Sequence, residues 1–134
     1  MLPERIAEVQ DWLARARLDA RAAEHLLADG VDLAEPALFH CQQAAEKALK
    51  AFLAWHRTFA RRHNLVALLN LCAEVKSDFT SLQAAAVALT PYAVAFRYPG
   101  ELPAPTAEQA EEALQLMREV LTFVLERLPT DVTG

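Results

Sequence analysis

Gln43, Glu46, Lys47 and Lys50 stand three or four positions from one another, which makes them neighbours on one side of a helix. Together they form a compact strip of amide, carboxylate and ammonium groups. Glu46 and Lys50 have the favourable order for an i, i+4 ion pair, acid before base. Two chemistries fit the strip. It can be a solvated helix surface held by its own ion pairs. Alternatively Lys47 and Lys50 bind a phosphate as point charges while Gln43 fixes its orientation. Two further clusters could bear on the same ligand. Arg97-Tyr98-Pro99-Gly100 offers a guanidinium fork and an aromatic face on a proline-fixed loop. Arg61-Arg62-His63-Asn64 sets basic groups at the start of a helix, where anions are attracted; Asn64 is also a simple N-cap there.

Other chemistries find no footing. His25, His40, His56 and His63 with Cys41 and Cys72 match no metal-ligand spacing, so no metal and no cofactor is expected. The glycine-rich phosphate cradles and the G-x-S-x-G elbow do not occur. Cys41 lies on an apolar helical face, where a free thiol behaves as a small hydrophobe, and adjacency does not make His40 its base.

The 134 residues suit one domain, with 54 % hydrophobic and 23 % charged residues and only three glycines. Apolar–polar alternation is scarce, so the composition points to an all-α chain. A net charge of −5 argues against a broad footprint for duplex nucleic acid. No apolar run reaches the ~18 residues of a membrane span, and the first residues do not resemble a secretory signal. Two cysteines without C-x-x-C spacing suit a cytoplasmic, reduced setting.

The elements that must carry these groups follow from periodicity. A first helix is expected over 3–29, with a seam of Ile6, Val9, Leu13, Ala16, Ala20, Ala23 and Leu27 at heptad spacing. Trp12 sits beside that seam, while Arg15, Asp19 and Arg21 lie off it. Pro36 suits the N1 position of a second helix, expected to continue to about Phe59 with Leu38, Cys41, Ala45, Ala48 or Leu49, Phe52 and Trp55 inward. Asn64 caps a third over 65–75, and a fourth is expected over 80–89, ended by Pro91. Four of the seven prolines fall within 90–105, compelling a loop from Tyr98 to Pro105. Thr106 and Gln109 match a capping box for a last helix with seam Ala107, Ala110, Leu114, Met117, Leu121, Val124 and Leu128. Pro129 closes it, and 130–134 is expected to fray. Residues 1–134 then form one up-and-down antiparallel bundle of four to five helices.

At these residues the sequence resembles the HEPN domain family (higher eukaryotes and prokaryotes nucleotide-binding). The match runs through Trp12…Ala16…Asp19…Ala23…Leu26-Leu27, then Phe39-His-Cys-Gln-Gln-Ala-Ala-Glu-Lys-Ala-Leu-Lys-Ala-Phe-Leu53. It continues in His63-Asn-Leu, Leu68-Leu69 and Tyr92…Phe96-Arg-Tyr-Pro-Gly100. The resemblance implies a helical bundle that commonly dimerises, proposed to bind nucleotides and often paired with a separate minimal nucleotidyltransferase in toxin–antitoxin-like modules. Carried over by motif, the nucleotide-binding positions are Gln43, Lys47, Lys50, His63, Arg97 and Tyr98. Many relatives are instead metal-independent ribonucleases with a late R-x(4–6)-H motif. No histidine follows Arg97 here, which implies binding rather than cleavage; Arg57 to His63 has the literal spacing at a different place. A structural dimeric adaptor without a small ligand is the third expectation. Trp55, Phe59, Phe96 and Tyr98 are the expected aromatic surface of a homodimer.

Overall fold

In the computed structural model, which describes residues 3–58, 60–100 and 102–134, six helices enclose one core and no strand occurs among the described residues. They are α1 (Pro3–Ala28), α2 (Ala34–Trp55), α3 (Leu65–Val75), α4 (Gln83–Leu89), α5 (Ala107–Glu126) and α6 (Thr130–Thr133). The all-α bundle expected from composition is the observed fold.

Several boundaries have an identifiable backbone or capping cause. Gly30, with φ 133°, turns the chain out of α1. A turn of 3-10 helix over Val31–Leu33 then leads into α2, so Pro36 falls in the third helical position rather than the first. It is tolerated because first-turn N–H groups have no intrahelical partner. The other end of α2 departs from the periodicity. The helix stops at Trp55 because Arg57 adopts φ 58°. Thr58 N–H then donates to Leu53 O at 2.8 Å and Arg57 N–H to Ala54 O at 3.1 Å, the Schellman pair with arginine where glycine is usual. Phe59, where the helix was expected to reach, lies outside the described residues.

Asn64 caps α3 by accepting from Ala67 N–H at 3.1 Å, as its position predicts. Ser77–Leu82 is 3-10 rather than α, and α4 begins only at Gln83. Thr106 Oγ1 accepts from Gln109 N–H at 3.0 Å, but the return half of the capping box is absent. The Gln109 amide donates instead to Tyr92 Oη at 3.0 Å, tying the proline-rich segment to α5.

α2 is the central helix, in contact with α1, α3, α4 and α5. Alanines line its approach to α1: Ala16, Ala20 and Ala23 on one side, and Ala37, Ala44, Ala48 and Ala51 on α2 are all buried. Small side chains let two helices pack closely. The ring pairs Phe52–Phe79 at 4.4 Å and Phe79–Phe123 at 4.9 Å join α2 to α5 through the 3-10 turn. On α5 the buried positions are Ala110, Ala113, Leu114, Met117, Val120, Val124 and, just past its end, Leu128. Val120 therefore replaces Leu121 on the inner face, and Ala107 is exposed, because a straight helix drifts from a strict heptad. The C-terminal residues, expected to fray, have regular structure here. Thr130–Thr133 forms a helical turn, Val132 enters the core, and Arg17 Nη2 donates to Thr133 O at 2.8 Å.

Candidate functional site

Because α2 is surrounded, between its two ends it reaches solvent along one strip: Glu35 and Pro36, Phe39 with His40, Gln43, Lys47, and Ala54 with Trp55. Cross-helix contacts fix α1 antiparallel beside this strip. Arg5 meets Trp55, Trp12 meets Lys50, and Asp19 meets Lys47 and His40.

Two carboxylates organise the polar groups. Asp19, only 8 % exposed, receives His40 Nδ1 at 2.8 Å on one oxygen and Lys47 Nζ at 2.5 Å on the other. Glu46, 4 % exposed, accepts from Gln42 Nε2 at 3.2 Å on Oε1. Its Oε2 takes Lys50 Nζ at 3.0 Å and faces His63 Nδ1 at 3.0 Å. Gln42 Nε2 also reaches His63 O at 3.3 Å, and Gln43 Nε2 donates to Gln42 Oε1 at 2.8 Å. Among the described residues no buried side-chain N or O atom lacks a partner. Such complete satisfaction is what lets charge stay in a low-dielectric interior.

The Glu46–Lys50 pair is thus not the solvated surface pair that its spacing allows. Lys50 is 8 % exposed and its ammonium lies 5.4 Å from the centre of the Trp12 ring, a cation–π contact. Both lysines of the strip have a carboxylate partner, so neither stands as a bare point charge.

Beyond Lys50 the strip opens into a cleft of about 460 Å³. Trp12, Leu53 and Ala54 give it apolar walls; Glu4, Arg5, Glu8, Lys50 and Arg57 supply the charges. Arg5 Nη1 is anchored on Trp55 O at 3.2 Å. Arg57 enters through its left-handed backbone, and no carboxylate pairs with it among the described residues. A non-glycine residue held at positive φ is a local cost that folds retain mainly at sites of use.

Of the six positions named from motif, the structure joins Gln43, Lys50 and His63 in one network, with Lys47 beside it on Asp19. Arg97 lines a separate groove at the start of α2, with Glu35, Pro36, Phe39, Tyr92, Ala93, Val94 and Phe96. From Phe39 to Lys50 is eleven helical residues, about 16 Å along the axis. Tyr98 is 62 % exposed, and no hydrogen bond or ion pair among the described residues joins Arg97 or Tyr98 to the network. Of the expected dimer aromatics, Tyr98 is exposed, Trp55 and Phe96 are half-buried against the core, and Phe59 lies outside the described residues.

Asp19, Gln42, Arg5 and Trp12 belong to these sites without a chemical signal of their own in the sequence, and His40, weighed there as a metal ligand and as a base for Cys41, pairs with Asp19 instead. Asp19 looked like an off-seam residue, and only the path of α2 beside it reveals its two partners. The cysteines are inert by comparison. Burial pushes both the Cys41 and Cys72 thiols up to about 12.

The same all-α bundle is the fold of solved HEPN proteins. The chain belongs to the HEPN domain family, whose model matches residues 9–128. It is similar to the TT1696 protein of Thermus thermophilus, with 35 % identity and a TM-score of 0.74 over 90 % of this chain and 98 % of that one. It is also similar to ST0689, an archaeal HEPN homologue, with 26 % identity and a TM-score of 0.70 over 89 % and 96 %. No curated protein sequence matches it. No helix among the described residues is long and apolar enough to cross a membrane.

Proposed function

We propose that this HEPN protein binds a nucleotide in the cleft between the start of α1 and the end of α2. One observation carries the proposal: an aromatic face, Trp12, stands in the same cleft as the cations Lys50, Arg5 and Arg57. A flat base can stack on the indole while the phosphates meet the arginines at the mouth. Gln43, Gln42, Glu46 and His63 then act as supports that hold Lys50 in place, and Lys47 does the same for the α1–α2 contact through Asp19. Arg97 and Tyr98 belong to a different surface, suited to a macromolecular partner such as a second copy or the minimal nucleotidyltransferase implied by the resemblance.

Calorimetric titration with nucleoside triphosphates tests the proposal. Arg57→Gly removes the guanidinium and relieves the left-handed backbone strain. It is expected to raise stability by about 0.5–1 kcal/mol while weakening binding at least tenfold. Arg97→Ala is expected to leave affinity unchanged. Binding that depends on Arg97 and ignores Arg57 refutes the assignment.

A second reading, ribonuclease activity, is supported by one observation. Glu46 holds His63 by Nδ1 while the His63 side chain is 77 % exposed, a carboxylate-oriented imidazole of the kind a general base needs. Incubating RNA with the protein and with His63→Ala tests it. Equal cleavage, or none, rejects it.

A further inference from the structure

We infer that the cleft selects guanine over other bases, an inference that rests on nucleotide binding at this cleft. Glu4, Glu8 and Trp12 occupy positions i, i+4 and i+8 of α1 and all line it, forming one ridge. Each step along that ridge is about 6 Å. A purine stacked on Trp12 therefore brings one edge within reach of Glu8, one turn away. Lys50 Nζ lies 5.4 Å from the centre of the same indole, with one of its three hydrogens on Glu46, so a base takes that ring face by moving the ammonium to its edge. The site thus offers a hydrogen-bond donor, Lys50, and an acceptor, Glu8, at the place where a base would lie.

Glu8 is available for this purpose. No hydrogen bond or ion pair engages Glu4 or Glu8 among the described residues. Glu46, by contrast, is already committed to three donors. Guanine complements this pairing. Its O6 and N7 accept, as they do from lysine in other settings, and its N1–H and 2-amino group form two adjacent donors that a carboxylate takes together. Adenine presents an acceptor at N1, which meets Glu8 with repulsion. Hypoxanthine keeps N1–H but lacks the 2-amino group, and so forms half of the carboxylate contact. Pyrimidines offer a smaller face to the indole.

The chain has two tryptophans, so Trp55→Phe leaves Trp12 as the only indole reporter, and the Arg5 anchor survives because it uses the Trp55 backbone carbonyl. Fluorescence titration of that variant with GTP, ITP and ATP reads the preference. GTP is expected to bind about tenfold more tightly than ITP or ATP, the discrimination a lost charge-assisted contact produces. Adding Glu8→Gln is expected to bring GTP down to the affinity of ITP, with ATP unchanged or improved. ATP binding as tightly as GTP overturns the guanine preference while leaving nucleotide binding standing. A GTP-to-ITP ratio unaffected by Glu8→Gln overturns the role of Glu8. Binding of none of the three removes the underlying proposal together with this inference.

Discussion

Removing the Glu46 carboxylate should unbalance the protein far more than its i, i+4 spacing suggests. Glu46→Leu keeps bulk in the helix but withdraws the acceptor from Lys50, whose side chain is 9 % exposed, and from His63. Lys50 is then a charge without a carboxylate, against the Trp12 ring. Breaking a buried pair in this way costs about 3–5 kcal/mol, where an exposed pair contributes about 0–1. For 134 residues the unfolding entropy is about 0.28 kcal/mol/K near the midpoint, so the loss corresponds to a Tm drop of about 10–18 °C. Replacing both partners by apolar residues, Glu46→Leu with Lys50→Met, removes the orphan charge and should recover most of the loss. His63→Ala, at the exposed end of the network, should cost less than about 1 kcal/mol. Urea unfolding followed by helical circular dichroism, extrapolated linearly to zero denaturant, supplies all three values. If Glu46→Leu stays within about 1 kcal/mol of the parent, or the double variant is no more stable than the single, the pair is not a buried, mutually dependent unit.

Further outcomes follow from individual groups. Thr106→Ala deletes the cap on Gln109 N–H and should cost about 1 kcal/mol, or roughly 3–4 °C in Tm; no change refutes the cap. With their pKa values pushed to about 12 by burial, Cys41 and Cys72 are thiolate at only ~1 part in 10⁴ at pH 8, so Ellman's reagent should label them only after unfolding. Rapid labelling of the folded protein contradicts that burial. Partial desolvation beside the Phe52 ring also lowers the His56 imidazole from its ordinary 6.5, although the residue as a whole is exposed. The unfolded chain therefore takes up this proton first: the contribution of His56 is fully present above about 6.5 and declines as pH falls below it. His56→Gln should flatten the stability profile between pH 7 and 5, and an unchanged slope refutes the assignment.

The long elements were legible because each has its own local signal. Asn64 and Thr106 are caps, Gly30 and the proline cluster are stops, and the apolar spacing of α1, α2 and α5 marks their inner faces. Three features were hidden for identifiable reasons. Arg57 ends α2 in a conformation normally signalled by glycine, so nothing local announces the stop. Lys50 and Glu46 are buried because the packing of α1 against α2, a tertiary fact, covers a pair whose spacing equally fits open surface. Asp19 acquires its roles from His40 and Lys47, residues 21 and 28 positions away. Of the candidate positions, Gln43, Lys50 and His63 share one helix face or its adjoining turn, so periodicity could group them. Arg97 and Tyr98 sit on a loop whose path periodicity does not encode.

The most direct test of the central claim is an amide chemical-shift map of the ¹⁵N-labelled protein titrated with GTP. Nucleotide binding in the α1–α2 cleft predicts saturable shifts concentrated in residues 4–12 and 50–58, with the Trp12 indole N–H among the largest, and little change across 92–98. Shifts centred on Arg97 and Tyr98, or none up to millimolar nucleotide, would contradict it.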